Sequence, residues 1–319
     1  MEKRRLGRTG LQVSVLGYGA GAVGGLFTKG DPADQERALA RAVELGINYV
    51  DTAALYGNGE SERNLGRVLK KLKPDVVLGT KFRLKAADRS RVAAFVAQSM
   101  DESLQRLGLD HVDLFQLHNP LVAKDADDRM DVEIALNEVV PALHRLQKAG
   151  KTRFIGFSGV GEPDAILKAV DSKAFDTVQV VYNALNPSAG GPMPKGAPGL
   201  DYGRLLDRAK AADMGTIIIR ALAGGALSGT ESRHPLAMQK VDPIGSAPDF
   251  AADVKRAQAL EPLARETGGS LTEFAERFVI SHPAVSTMLV GYSTLDHLEE
   301  AAKAVAKGPL PPAAIARIA

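Results

Sequence analysis

An acid, a phenol, an amine and an imidazole follow one another along this chain at the ends of apolar runs. Asp51 closes NYVDT, Tyr56 comes shortly after it, Lys81 closes VVLGTK and His118 closes VDLFQLH. These four types suit proton transfer to a carbonyl oxygen. A carbonyl that takes up hydride at carbon becomes an alkoxide, so a proton must reach its oxygen in the same event or just after. Tyr56 is the natural donor, but a free tyrosine has a pKa of about 10. A Lys81 ammonium close by favours the phenolate and brings the hydroxyl into a working range, while Asp51 keeps Lys81 charged and aimed. Neutral His118 donates a hydrogen bond to the carbonyl oxygen, orienting the substrate and stabilising the developing charge. The apolar run before each residue places it at a rim of low dielectric, where shifted pKa values are expected.

The elements that position these residues are legible in the alternation of patterns. Short runs rich in β-branched residues recur at Val13–Tyr18, Asn48–Thr52, Val76–Lys81, Val112–His118, Arg153–Phe157, Thr177–Val181, Thr216–Arg220 and Thr287–Val290. Each is followed by a helix-period segment, which is the mark of parallel βα units. Leu65, Val68, Leu69 and Leu72 fall on one helix face, as do Val92, Val96, Leu104 and Leu107. Gly46, Gly108 and Gly150 stand where helices should end. Eight such units in 319 residues predict one domain over 1–319, an α/β fold of the (β/α)8 TIM-barrel type. The opening residues, Lys3–Arg8 and Leu11–Val15 around Thr9-Gly10, read as a β-hairpin ahead of the barrel. Two stretches rich in Gly and Pro, Asn186–Gly199 and Gly224–Phe250, predict long loops after strands 6 and 7, on the face where barrel active sites lie. The doubly wound open sheet is the rival. Gly17, Gly19 and Gly21 resemble its phosphate fingerprint, yet the third Gly does not open a helix and GAGAVGG reads as a loop.

Bulk composition excludes several classes of function. Forty basic residues are interleaved with 38 acidic ones for a net charge of +2, so neither nucleic acid nor an anionic membrane surface is an expected partner. With no cysteine there is no disulfide, thiolate catalysis or Cys-ligated metal, and the six histidines lack ligand spacing such as HExxH, so no metal is expected. The first twenty residues lack the apolar segment of a signal peptide and no window approaches 18 apolar residues, which makes a cytoplasmic protein the default. Nothing in the sequence speaks to oligomeric state.

The block DTAALYGNGESERNLG, followed by GTK and LFQLH, resembles the aldo-keto reductase superfamily, whose tetrad is Asp, Tyr, Lys and His. The likeness continues through GKTRFIGFSG, VQVVYN, ALAGGALSG and the terminal VGYSTLDHLEEA. It implies reduction of aldehydes or ketones to alcohols, or the reverse, with NADP(H) as cofactor and NAD(H) as the alternative. The partner is then a small carbonyl or alcohol substrate. Ser158 and Gln179 stand where the family holds the nicotinamide carboxamide, although Gly159 replaces the usual Asn. Gly19, Ala20 and Gly21, with the small residues from Leu222 through Gly224 and Gly225 to Gly229, are placed to bring backbone N–H groups to a diphosphate. Ile219 stands where many relatives stack an aromatic residue on the ring, and Arg220 beside it could reach a phosphate or an anionic substrate group. Gly291, Ser293, Thr294 and His297 occupy the block that usually grips the 2′-phosphate, with His297 in place of Arg or Gln and Ala301 in place of Asn, so a weak preference for NADP(H) is expected. Tyr18, Phe82, Asn119, Tyr182 and the loop Leu121–Asp131 are the candidates to line the mouth. So few aromatics argue for small aldehydes, sugars or quinone-like compounds over steroids.

Two other readings are compatible with a barrel. In an aldolase or isomerase, Lys81 forms a Schiff base, leaving Tyr56 unexplained. In a cofactor-binding regulatory subunit the barrel turns over slowly or not at all, which the intact tetrad argues against.

Overall fold

The computed structural model describes residues 1–246 and 248–318. Eight parallel strands close on themselves in chain order: β1 (Leu16–Gly19), β2 (Tyr49–Asp51), β3 (Val77–Phe82), β4 (Val112–Leu117), β5 (Thr152–Gly159), β6 (Thr177–Val181), β7 (Gly215–Ile219) and β8 (Thr287–Gly291). The barrel is sealed where β8 pairs with β1, with Val290 opposite Tyr18 and Gly291 opposite Gly19. All eight βα runs of the sequence therefore become barrel strands, and the open-sheet alternative is excluded.

The first run is the one that divides. Gln12–Ser14 pairs antiparallel with Lys3–Arg5 as the expected hairpin, and Leu16–Gly19 begins the barrel. The change of direction at Val15 is fixed by side chain and backbone together. Val15 N–H donates to Glu2 O at 2.9 Å, and the Ser14 hydroxyl donates to Leu16 O at 2.6 Å. The hairpin plugs the floor of the barrel, where Leu6 and Val13 pack against the inward side chains Tyr49, Leu114 and Ile217.

Helices α1 (Pro32–Glu44), α2 (Glu60–Leu72) and α3 (Val92–Leu107) lie in the ring outside the strands. Leu65, Val68 and Leu69 of α2, and Val92, Val96, Leu104 and Leu107 of α3, are buried, while Leu72 is partly buried. Gly46, Gly108 and Gly150 take positive φ at or just beyond helix ends, which lets the chain turn back. The ring continues through α4 (Val140–Lys148), α5 (Pro163–Asp171), α6 (Leu205–Ala211), α7 (Leu271–Ile280) and α8 (Leu295–Ala306). Between β6 and α6 the chain is irregular over most of its length, and between β7 and α7 it forms a short 3-10 turn, Ala223–Ser228, a long coil, and helices Phe250–Gln258 and Glu261–Glu266. Among the described residues no helix is long and apolar enough to cross a membrane.

Strand parity decides what reaches the site. Tyr49, Asp51, Gly79, Lys81, Leu114, Gln116, Ser158, Gln179, Ile217 and Ile219 share the inward parity of their strands. Their neighbours Leu78, Phe115, Phe157, Val178, Val180 and Ile218 belong to the core between strands and helices.

Candidate active site

Lys81 is the centre of the arrangement at the carboxyl ends of the strands. Its side chain is fully buried, an expensive place for an ammonium unless every hydrogen is used. All three are. Nζ donates to Asp51 Oδ1, to Thr52 O at 2.8 Å and to the Tyr56 hydroxyl at 3.2 Å. Burial opposes the charged form, but the Asp51 carboxylate and the Tyr56 hydroxyl outweigh it, and the Lys81 pKa rises above its ordinary value.

Asp51 is held on its other oxygen by three donors. Oδ2 accepts from Gln179 Nε2 at 3.0 Å, Gln116 Nε2 at 3.1 Å and the Tyr49 hydroxyl at 3.3 Å. The room for this convergence comes from Gly79, two residues before Lys81 on the same face. A Cβ there would lie 2.9 Å from the Tyr49 oxygen and 3.2 Å from Asp51 Oδ2.

Tyr56 sits in the turn after β2, and the His118 ring meets its ring edge-on at 5.7 Å between centroids. Burial, then the charges of Lys81 and Arg83, push the His118 pKa well below the usual histidine range. The imidazole is therefore neutral at pH 7. Its Nδ1 is buried with no hydrogen-bond partner among the described residues. Asp51, Tyr56, Lys81 and His118 thus meet at one end of the barrel.

Ser158 and Gln179 lie directly opposite one another on β5 and β6. The Ser158 hydroxyl is buried and unpartnered among the described residues, a polar atom waiting for a ligand such as a carboxamide. Ile219 ends β7 on the inward face, partly exposed. Gly19 and Gly291 pair where β1 meets β8, and a Cβ on Gly19 would approach Val290 O to 3.0 Å. After β7 the backbone is left-handed at Arg220, Ala223, Gly224 and Gly225, with φ of 58, 48, 70 and 109°. Only at the two glycines is that conformation free of steric cost. The orphaned Ser158 hydroxyl and the side-chain-free backbone at Gly224 and Gly225 are compatible with a nicotinamide dinucleotide.

Several of the expected residues already have partners within the chain. The Ala20 and Gly225 amides are not free for a diphosphate, because they donate to Asp51 O and Leu222 O at 2.9 and 2.8 Å. The Ser293 hydroxyl donates to Gly24 O at 2.6 Å. Thr294 Oγ1 caps α8 by accepting from His297 N at 3.3 Å. His297 is exposed and its ring faces His234 of the long loop at 6.3 Å. Arg220, expected as a strand residue, lies one position beyond β7 because its φ cannot continue the ladder. The proposed mouth lining fails as a group. Tyr18 packs outward on Phe27 and Tyr292, Phe82 stacks on Phe115, and Tyr182 packs on Phe278 and His282. Asn119 is committed to Leu84 and Asp128 backbone.

Gln116, Tyr49 and Gly79 were missed from the sequence. Their signals were a polar residue interrupting LFQL, an aromatic at the inward position before Asp51, and a glycine inside a strand run, which marks close approach.

The chain belongs to the Aldo/keto reductase family, which matches residues 15–319. It is 31% identical over 313 residues to the L-galactose dehydrogenase of Arabidopsis thaliana, covering 96% of this chain and 88% of that protein. In fold it resembles the holo form of an aldo-keto reductase from Bacillus halodurans, with a TM-score of 0.74 at 24% identity, over 100% of this chain and 95% of that one. An aldo-keto reductase from Klebsiella pneumoniae solved in complex with NADPH superposes with a TM-score of 0.70 at 21% identity, covering 99% and 93% of the two chains.

Proposed function

We propose that this protein reduces aldehydes or ketones to alcohols, or oxidises the alcohols, with Tyr56 as the proton donor and acceptor. One observation carries the reading. The buried Lys81 ammonium bridges the Asp51 carboxylate and the Tyr56 hydroxyl, 3.2 Å away, at the open end of the barrel. When bound, a nicotinamide dinucleotide supplies or accepts the hydride. As the carbonyl carbon is reduced, the Tyr56 hydroxyl gives its proton to the carbonyl oxygen, and the phenolate left behind is held by Lys81 until it is reprotonated. His118, kept neutral by its surroundings, offers an N–H to the same oxygen and so favours the arrangement in which negative charge develops there. Asp51 fixes where Lys81 points, and Gln116 and Gln179 fix Asp51. Ser158 would take the ring carboxamide, and Gly19, Gly21, Leu222, Gly224 and Gly291 would give the backbone close access to the rest of the dinucleotide. A preference for NADP(H) is supported by the NADPH complex of the Klebsiella pneumoniae relative, and it is a small preference because His297 supplies no fixed charge.

The intact bridge favours this reading over a non-turning regulatory subunit, and the use of all three Lys81 hydrogens leaves no lone pair for a Schiff base. The test is oxidation of NADPH and NADH followed against a panel of aldehydes. Turnover that disappears in Tyr56→Phe is expected. Turnover retained at wild-type rate in that variant would remove Tyr56 from the chemistry.

A further inference from the structure

Arg220 is a cation without an ion pair among the described residues, at the carboxyl end of a barrel strand. It follows β7 directly, and its side chain is partly buried. Its one side-chain hydrogen bond among the described residues runs from Nη1 to the carbonyl of Asp242, at 2.9 Å, and the Asp242 carboxylate acts on it only through space. A neutral carbonyl leaves most of the guanidinium's five donors for something else. Its backbone is held left-handed at φ 58°, a conformation costly for a residue with a Cβ, and it is stabilised by Asn183 Nδ2 donating to Arg220 O at 2.9 Å and by Ala223 N donating to the same oxygen at 2.8 Å. Space for the guanidinium is kept by Gly224, where a Cβ would stand 3.0 Å from Nη1. The strained residue is therefore held in place, with its guanidinium between Gly224 and the Asp242 carbonyl.

Tyr56, Asp242, Arg233 and Tyr202 all act on its charge. Burial lowers the Arg220 pKa, and the Tyr56 hydroxyl is the group that opposes this most strongly, ahead of Asp242 and Tyr202. The Tyr202 hydroxyl is buried and has no hydrogen-bond partner among the described residues. Arg233, the other cation near by, reinforces the destabilisation of Arg220 and is itself bound by Gly224 O at 2.8 Å and Met238 O at 2.6 Å, again carbonyls and not carboxylates. Two cations close enough to repel, partly desolvated and eased by the Asp242 carboxylate only through space, are a cost to the free protein that an incoming anion reduces.

Building on the carbonyl-reductase reading, we propose that Arg220 binds an anionic substituent, a carboxylate or a phosphate, carried by the substrate whose carbonyl oxygen lies at Tyr56. The guanidinium fork matches either oxyanion, and a substrate anchored there has its carbonyl end directed toward Tyr56 and His118. Charge-assisted contacts of this kind correspond to roughly ten- to hundredfold in kcat/KM.

Two matched pairs of aldehydes test it: succinic semialdehyde against butanal, and glyceraldehyde 3-phosphate against glyceraldehyde. In the wild type the charged member of at least one pair should have the higher kcat/KM. In Arg220→Gln the ratio of charged to neutral should fall at least tenfold, and Arg220→Lys should recover part of it. A ratio of one in the wild type, or a ratio unchanged in Arg220→Gln, overturns the proposal. A weaker dissociation constant for NADPH in Arg220→Gln with the ratio intact also overturns it and assigns the guanidinium to the cofactor's phosphates. Calorimetric titration of the same aldehydes into protein saturated with NADP+, where no reduction takes place, separates this site from the reaction. Tighter binding of the charged aldehyde that is lost in Arg220→Gln supports the anion site even if no aldehyde is reduced, and then the reductase reading alone fails.

Discussion

Asp51 and Glu276 are both carboxylic acids buried in this fold, 3% and 1% exposed, and their surroundings are opposite. Asp51, inside the barrel, accepts from Lys81 on one oxygen and from Gln179, Gln116 and Tyr49 on the other. Glu276, on α7 outside the strands, has an Oε2 with no partner among the described residues, and the hydroxyls of Tyr18 and Tyr292 are buried and unpartnered too. Burial, then the charges of Glu273 and Glu300, push the Glu276 pKa up to about 8. The difference shows what keeps a buried charge ionised in this protein. A shell of donors does so inside the barrel, whereas desolvation without such a shell returns the proton. In the network that could do chemistry, both oxygens of the buried acid and all three hydrogens of the buried amine have partners.

The comparison breaks first at Lys81. Lys81→Met leaves the Asp51 carboxylate buried without its counter-charge, and the cost expected in urea unfolding is about 3–5 kcal/mol, together with loss of turnover. Stability equal to wild type would mean that the donors from Gln116, Gln179 and Tyr49 suffice alone. Tyr56→Phe separates chemistry from stability. It removes a hydroxyl at the edge of the network, so turnover should drop roughly 10²- to 10⁴-fold while the unfolding midpoint and NADPH affinity barely move. Gly79→Ala sharpens the geometric side, because its methyl must displace the Tyr49 oxygen or Asp51 Oδ2. A loss of about 1–3 kcal/mol and a fall in kcat are expected, and wild-type kcat would show that the Asp51 position tolerates the shift.

Glu276 should behave in the reverse sense. Its folded pKa of about 8 lies above the ordinary value of 4.5, so its contribution to stability is full below pH 4.5 and is lost as the pH rises through 8. Glu276→Leu removes that loss. Its thermal midpoint should gain on the wild type progressively between pH 5 and pH 9, by an amount on the order of several degrees. A constant offset across that range would show that folding does not raise the Glu276 pKa. The smallest effect is expected at the surface, where His297→Arg adds a charge beside α8. NADPH should bind a few-fold more tightly and NADH unchanged, as read by titration of each cofactor, since exposed ion pairs are worth about 1 kcal/mol or less.

Local pattern was enough to locate the strands, the helix faces on α2 and α3, and the order Asp51, Tyr56, Lys81, His118, because each rests on residues near one another in the chain. The floor hairpin was legible for the same reason, apart from the division at Val15. Which side of each strand faces the barrel was not. In a parallel barrel both faces are buried, so Tyr18 and Phe82 look as suited to the mouth as Gln116 and Tyr49 do, and a one-residue change of parity exchanges the two sets. Tyr182, immediately after β6, was equally open to assignment. Nor can sequence say which donors are already used. The hydroxyl of Ser293 and the amides of Ala20 and Gly225 remain available until Gly24, Asp51 and Leu222 are brought beside them. The sequence by itself determined the type and order of the reacting groups. Barrel closure alone decided their partners, because pairing Asp51 with Gln116 and Gln179 joins three strands separated by 65 and 128 residues, and only tertiary packing spans such distances.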